Sequence, residues 1–212
     1  MKVWAVIAGL VIAFGIGAGA GAFGYREAHY HPCPAHHFAI IGDSNVYAMD
    51  LGAGCLNLGR SGDDTAQMAA RFDARLIEAM QKTLIIWASN NDVHFWRDDG
   101  AANLRLMTDQ AKMAGLKVIL TTPLPLLDTY AVGGHTAAQA IAADRRLRDA
   151  VVVLGRAENV PVAPLYEALA NPDGTPKRGY FYEEPDHPGT YQHLTHAGQR
   201  LVWRTLLPLV QK

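Results

Sequence analysis

From Phe38 onward, short apolar runs alternate with longer stretches in which apolar residues recur at helical spacing. Phe38-Ala39-Ile40-Ile41, Leu56-Asn57-Leu58, Leu84-Ile85-Ile86-Trp87 and Val118-Ile119-Leu120 read as strands, with a short fifth around Val160 to Ala163. Between them Met68, Phe72, Leu76 and Met80 draw one apolar stripe on a helix from Thr65 to Gln81. Leu104, Met107, Ala111 and Ala114 draw another, ended by Gly115 as a C-terminal cap. Ile141, Leu147, Val151 and Leu154 mark a third, and Leu201 to Val210 a last one. Strands alternating with helices imply crossover units and a mostly parallel sheet, so the pattern predicts an α/β domain over residues 38–212.

The chain before this domain follows a different rule. Val3 to Tyr25 carries no formal charge and is bounded by Lys2 and by Arg26 and Glu27. Val3 to Phe14 suits the apolar core of a signal peptide, with Ala20-Gly21-Ala22 as the cleavage site. The full stretch also suffices to span a bilayer, and its Gly15-x-x-x-Gly19 and Gly17-x-x-x-Gly21 spacings would let a second helix approach closely. Residues 1–25 are thus a signal peptide or an uncleaved membrane anchor acting through residues 3–25. Both place the domain outside the cytoplasm: periplasmic, secreted, or anchored and facing outward. Gly19-Ala20-Gly21-Ala22-Phe23-Gly24 fits the dinucleotide fingerprint, but it lacks the strand before and helix after that such a loop needs.

Residues 26–37 form a His/Pro-rich linker whose Pro32 and Pro34 prevent a regular ligand face, and no metal or organic cofactor is implied. In an exported chain Cys33 and Cys55 either pair as a disulfide or remain free thiols. With 19 Lys+Arg against 20 Asp+Glu the net charge is −1, which offers no footprint for a phosphate backbone and removes nucleic acid as the default partner. Half of the residues are hydrophobic, enough to bury a core and to exclude a disordered chain.

In an open parallel sheet, reactive groups collect in loops at the carboxyl ends of the strands. Here those loops read Gly42-Asp43-Ser44-Asn45, Asn57-Leu58-Gly59-Arg60-Ser61-Gly62-Asp63 and Ala88-Ser89-Asn90-Asn91-Asp92. His193-Leu194-Thr195-His196-Ala197-Gly198 precedes the last helix. They supply a hydroxyl, a glycine N–H, a side-chain amide and an imidazole, the parts of an acyl-transfer site.

This ordered set resembles the SGNH hydrolases, or GDSL esterases and lipases. The resemblance implies a three-layer, flavodoxin-like fold around a mostly parallel five-stranded sheet. It makes Ser44 of Gly42-Asp43-Ser44 the nucleophile. Ser44 and Gly62 would lend backbone N–H groups to the oxyanion hole, and Asn91 its side chain, with Ser89 standing where the family has Gly. In His193-Leu194-Thr195-x-x-Gly198, His193 becomes the general base. The family's last block opens with an Asp that orients this His, and Thr190 occupies that place. Three arrangements stay open: Thr190 holding the imidazole without charge, Asp186 swinging in from the Pro185–Gly189 loop, or a Ser-His dyad.

The activity implied is hydrolysis of carboxylic esters with short acyl or acetyl groups. The ester would be a small molecule, a glycan or a lipid. The alternative is a catalytically weakened domain serving as a glycan-binding or scaffold module, for which Thr190 and Ser89 are the features.

Overall fold

The structure, a computed structural model, describes Cys33, residues 37–127 and residues 135–211. The segment expected to be a signal peptide or anchor, and most of the expected linker, lie outside the described residues. No described helix is long and apolar enough to cross a membrane.

Strands β1 (Ala39–Gly42), β2 (Leu56–Gly59), β3 (Thr83–Ile86), β4 (Lys117–Thr121) and β5 (Val162–Ala163) form one parallel sheet in the order β2-β1-β3-β4-β5. Their apolar runs are continuous because the sheet is covered on both faces. Alternate residues sort the core: Ile40, Ile85, Trp87 and Ile119 pack to one side with Leu165, Trp203 and Leu206. Ile41, Leu84, Ile86 and Leu120 pack to the other with Met68, Ile77, Leu104, Met107 and Val151. The result is the three-layer, flavodoxin-like arrangement expected from the sequence.

Around the sheet lie α1 (Ser44–Tyr47), α2 (Thr65–Ala70), α3 (Ala74–Met80), α4 (Asn91–His94), α5 (Gly100–Met113), α6 (Ala137–Glu158), α7 (Leu165–Leu169) and α8 (His196–Val210). The single helix expected from Thr65 to Gln81 is two. The first ends at Ala70, with Arg71 as its C-cap, and Asp73 caps the second, its carboxylate accepting from Arg75 N and Leu76 N. The break rotates Leu76 and Met80 outward, at 60% and 58% exposure, while Met68 and Ile77 are buried. Gly115, with φ +85°, follows α5 as the left-handed cap residue, and Leu116 N bonds back to Ala111 O at 3.0 Å.

An antiparallel pair not expected from the pattern completes the domain: β6 (Phe181–Glu183) and β7 (Tyr191–Leu194). Paired backbone bonds between Leu127 and Tyr191, at 3.3 and 2.8 Å, fasten β7 to the segment after β4.

Cys33 and Cys55 are joined as a disulfide, with Cα atoms 6.0 Å apart. Cys33 N also donates to Leu51 O at 3.0 Å. The bridge lies at the amino ends of β1 and β2 and closes a loop with a sequence separation of 22. A loop of that length stabilises by about 3 kcal/mol, chiefly by restricting the unfolded chain. Reduction with dithiothreitol should therefore lower Tm by roughly 5–10 °C. An unchanged Tm with both thiols demonstrably free contradicts this.

Candidate active site

The sheet order reverses direction between β1 and β3, and at such a switch point the carboxyl-end loops splay to leave a crevice. Ser44, Gly62 and Asn91 follow the neighbouring strands β1, β2 and β3 and meet at that crevice.

Ser44 begins α1 directly after Asp43, whose side chain caps the helix by accepting from Asn45 N at 2.9 Å. The short helix lies hard against β2. A Cβ on Gly59 would sit 2.2 Å from Tyr47 N and 2.6 Å from Val46 C, so only glycine permits the approach.

The next residue, Asn45, joins α1 to β7. Its Nδ2 donates to Gln192 O and its Oδ1 accepts from Leu194 N, both at 3.1 Å. The amide therefore grips the backbone on either side of His193 and sets that residue opposite Ser44. Ser44 Oγ lies 3.0 Å from His193 Nε2. Sequence reading passed over Asn45, because a buried amide signals a partner without naming it.

The far side of the imidazole departs from expectation. His193 Nδ1 is 2.7 Å from Glu184 Oε1, with the glutamate side chain only 18% exposed. The group on Nδ1 is Glu184, where the sequence offered Thr190 or Asp186. Thr190 is buried, and its carbonyl accepts from Glu184 N at 3.0 Å, which fixes the mouth of the β6–β7 turn. Asp186 is exposed in that turn. The physical reason is strand pairing. Tyr182 pairs with His193 across the two strands, and Glu184 stands two residues further on, just past the end of β6. A register shift beside Glu183 re-aims the end of the strand. The signal was present as two short aromatic-rich runs, Phe181-Tyr182 and Tyr191-Gln192, flanking a Pro/Gly turn. In the tautomer protonated on Nδ1, His193 donates to Glu184 and accepts from Ser44 through Nε2.

Gly62 and Asn91, read from the sequence as donors, lie just after β2 and β3. Gly62 has φ +83°, which a side chain would strain, and its N–H and that of Ser44 donate to no protein group among the described residues. Asn91 Nδ2 donates one hydrogen to Asp63 O at 2.9 Å, leaving its second.

Ser89, standing where the family has Gly, is buried and cross-links the site. Its Oγ lies 3.1 Å from Asp43 Oδ2 and 2.8 Å from Asp63 O, and it accepts from Asn91 N at 3.1 Å. The nucleophile loop and both donor loops are thereby joined through one hydroxyl. Burial raises the Asp43 carboxyl above its usual range, partly offset by bonds from Asn45 N, Ser89 and Asn90 N. Asp43 thus organises the loops and does not face the crevice. Burial likewise pushes Asp92 up to about 7, although Thr65 N and Oγ1 both bond to its Oδ1. Trp87 is core, and Trp96 stacks on His135 with centroids 3.5 Å apart. Among the described residues no group of His, Cys, Asp and Glu is placed to hold a metal ion.

A five-stranded parallel sheet carrying these loops at its switch point is the framework of an ester hydrolase. The profile of the GDSL-like Lipase/Acylhydrolase family matches residues 39–201, and the chain belongs to that family. Solved structures similar in fold include a GDSL-like lipase from Bacteroides thetaiotaomicron, 19% identical, covering 87% of this chain and 93% of that one with a TM-score of 0.68. An acetylxylan esterase from Geobacillus stearothermophilus is 17% identical, covering 84% and 94%, TM-score 0.61. A lipase/acylhydrolase from Enterococcus faecalis is 18% identical, covering 81% and 94%, TM-score 0.54. No curated protein matches the sequence.

Proposed function

We propose that this chain is an exported or membrane-anchored serine esterase that hydrolyses short-chain carboxylic esters, acetyl esters foremost. The observation that carries this reading is the line Ser44–His193–Glu184, with contacts of 3.0 and 2.7 Å, beside the donors of Gly62 and Asn91.

As the Ser44 proton passes to His193 Nε2, Oγ attacks the ester carbonyl carbon. The charge that develops on the carbonyl oxygen is met by the N–H groups of Ser44 and Gly62 and by the second Nδ2 hydrogen of Asn91. Glu184 keeps Nδ1 protonated and stabilises the imidazolium without taking its proton. The carbon–oxygen bond to the leaving alcohol then breaks, and that oxygen takes the proton from Nε2. Water attacks the acyl-enzyme, giving its proton to Nε2, which returns it to Ser44 Oγ as the carboxylic acid leaves.

The short-acyl assignment is supported by the polar character of the residues bordering Ser44: Asn45, Asn91 and Glu184. The likeness to an acetylxylan esterase is consistent with acetyl chemistry. Export is supported by the uncharged run Val3 to Tyr25 and by the Cys33–Cys55 bridge, since such bonds persist in oxidising compartments. The weakened-domain reading rested on Thr190 and Ser89. Glu184 now offers a carboxylate to His193, and Ser89 ties the loops together.

The full chain should hydrolyse p-nitrophenyl acetate faster than the butyrate, and the butyrate faster than the octanoate. A fluorophosphonate probe should label one residue, Ser44, by peptide mapping. Absence of both, hydrolysis above background and labelling, in the folded protein overturns the proposal.

A further inference from the structure

The proposed acyl chemistry explains one end of an ester and leaves the alcohol end without a recognition surface. Two side chains at the rim are unaccounted for. Tyr47 is 66% exposed and Tyr182 is 51% exposed. Tyr47 lies three residues after Ser44 in α1, so the two share a helix face with Cβ atoms roughly 5–6 Å apart. Tyr182 is the cross-strand partner of His193, which puts their Cβ atoms about 5 Å apart on one face of the hairpin. The order across the rim is α1, then β7 held by Asn45, then β6. Tyr47 and Tyr182 therefore flank the Ser44–His193 pair, one on α1 and the other on β6.

A single exposed tyrosine is ordinary on a protein surface. Two beside the same nucleophile–base pair are positioned to touch whatever the scissile ester is attached to. A tyrosine ring offers a flat apolar face and a polar tip, a poor match for a flexible aliphatic chain and a good one for a ring that is apolar on its faces and hydroxylated at its edges. A pyranose has that character. Its axial C–H bonds can lie on the aromatic face while its hydroxyls stay in water or meet the phenolic O–H.

We infer that Tyr47 and Tyr182 are a carbohydrate-binding platform that receives the alcohol part of the ester, making the substrate an acylated oligosaccharide. This rests on the esterase reading above and adds the specificity-determining residues for the leaving group. It also predicts where discrimination arises: the rings act on sugar-bearing esters, and the Ser44–His193–Glu184 line acts on every ester.

The test compares acetylated xylo-oligosaccharides with p-nitrophenyl acetate in the full chain. For Tyr47→Ala and Tyr182→Ala, the ratio of kcat/KM on the oligosaccharide to that on p-nitrophenyl acetate should fall about fivefold to tenfold each, carried mostly by KM. The Phe variants should keep most of that ratio, because stacking needs the ring and not the hydroxyl. Titration calorimetry in a Ser44→Ala background gives a readout free of turnover. There the oligosaccharide Kd should rise by the same factor on adding either Ala substitution. Equal losses on both substrates, or a Kd indifferent to both tyrosines, overturns the platform while the esterase stands. Hydrolysis of p-nitrophenyl acetate with no turnover or binding of the sugar ester does the same. Loss of all ester hydrolysis in the wild type, with sugar binding intact and ring-dependent, sinks the esterase reading and keeps the platform.

Discussion

Ser44→Ala should reduce kcat for a short-chain ester by roughly 10⁶-fold, because removing the nucleophile of a serine hydrolase costs as much as removing the whole catalytic group. His193→Ala should cost nearly the same, and the double variant little more, since the two act as one unit. A residual acceleration of about 10³–10⁴ over water should survive from the oxyanion donors and binding. The fold should be untouched. Asp43, not Ser44, supplies the helix cap, so Tm should stay within about 2 °C of wild type. Single-turnover kinetics on purified protein, with the probe used to exclude wild-type contamination, measures this. Near-normal turnover in folded Ser44→Ala removes Ser44 from the chemistry.

Glu184→Gln should lower kcat by about 10³-fold. Replacing the orienting carboxylate of a fully buried triad by its amide costs about 10⁴, through loss of charge and selection of the wrong tautomer. Glu184 is 18% exposed and His193 is 39% exposed, so water screens part of the interaction and the smaller figure applies. Thr190→Val and Asp186→Asn should each stay within about threefold, because the carboxylate on Nδ1 is that of Glu184. Steady-state kcat on p-nitrophenyl acetate ranks the four proteins. If Asp186→Asn falls as far as Glu184→Gln, the glutamate is not the orienting group.

What could be read in the sequence is what depends on local pattern. Ile40, Ile41, Ile85 and Ile86 announce a sheet buried on both faces, and the strand-end loops place Ser44, Gly62 and Asn91 without coordinates. What could not be read depends on a partner distant along the chain. The stripe through Met68 and Met80 was genuine helical spacing, yet Asp73 offered a second cap and split it. Thr190 stood at the familiar spacing, while the carboxylate arrived from nine residues before His193 across a hairpin turn. Pairing makes such residues neighbours, and linear spacing is blind to it. Asn45 is the same lesson at greater range, a side chain whose meaning lies in strand β7.

The sulfur bridge at the amino ends of β1 and β2 has a mechanical corollary. A pull on the chain upstream of Cys33 is delivered through a covalent link into the head of β2, beside β1, and loads that parallel pair lengthwise. The hydrolytic loops occupy the opposite rim, beyond the path of that force. A load applied ahead of Cys33 thus enters the sheet at the end away from the hydroxyl and the imidazole.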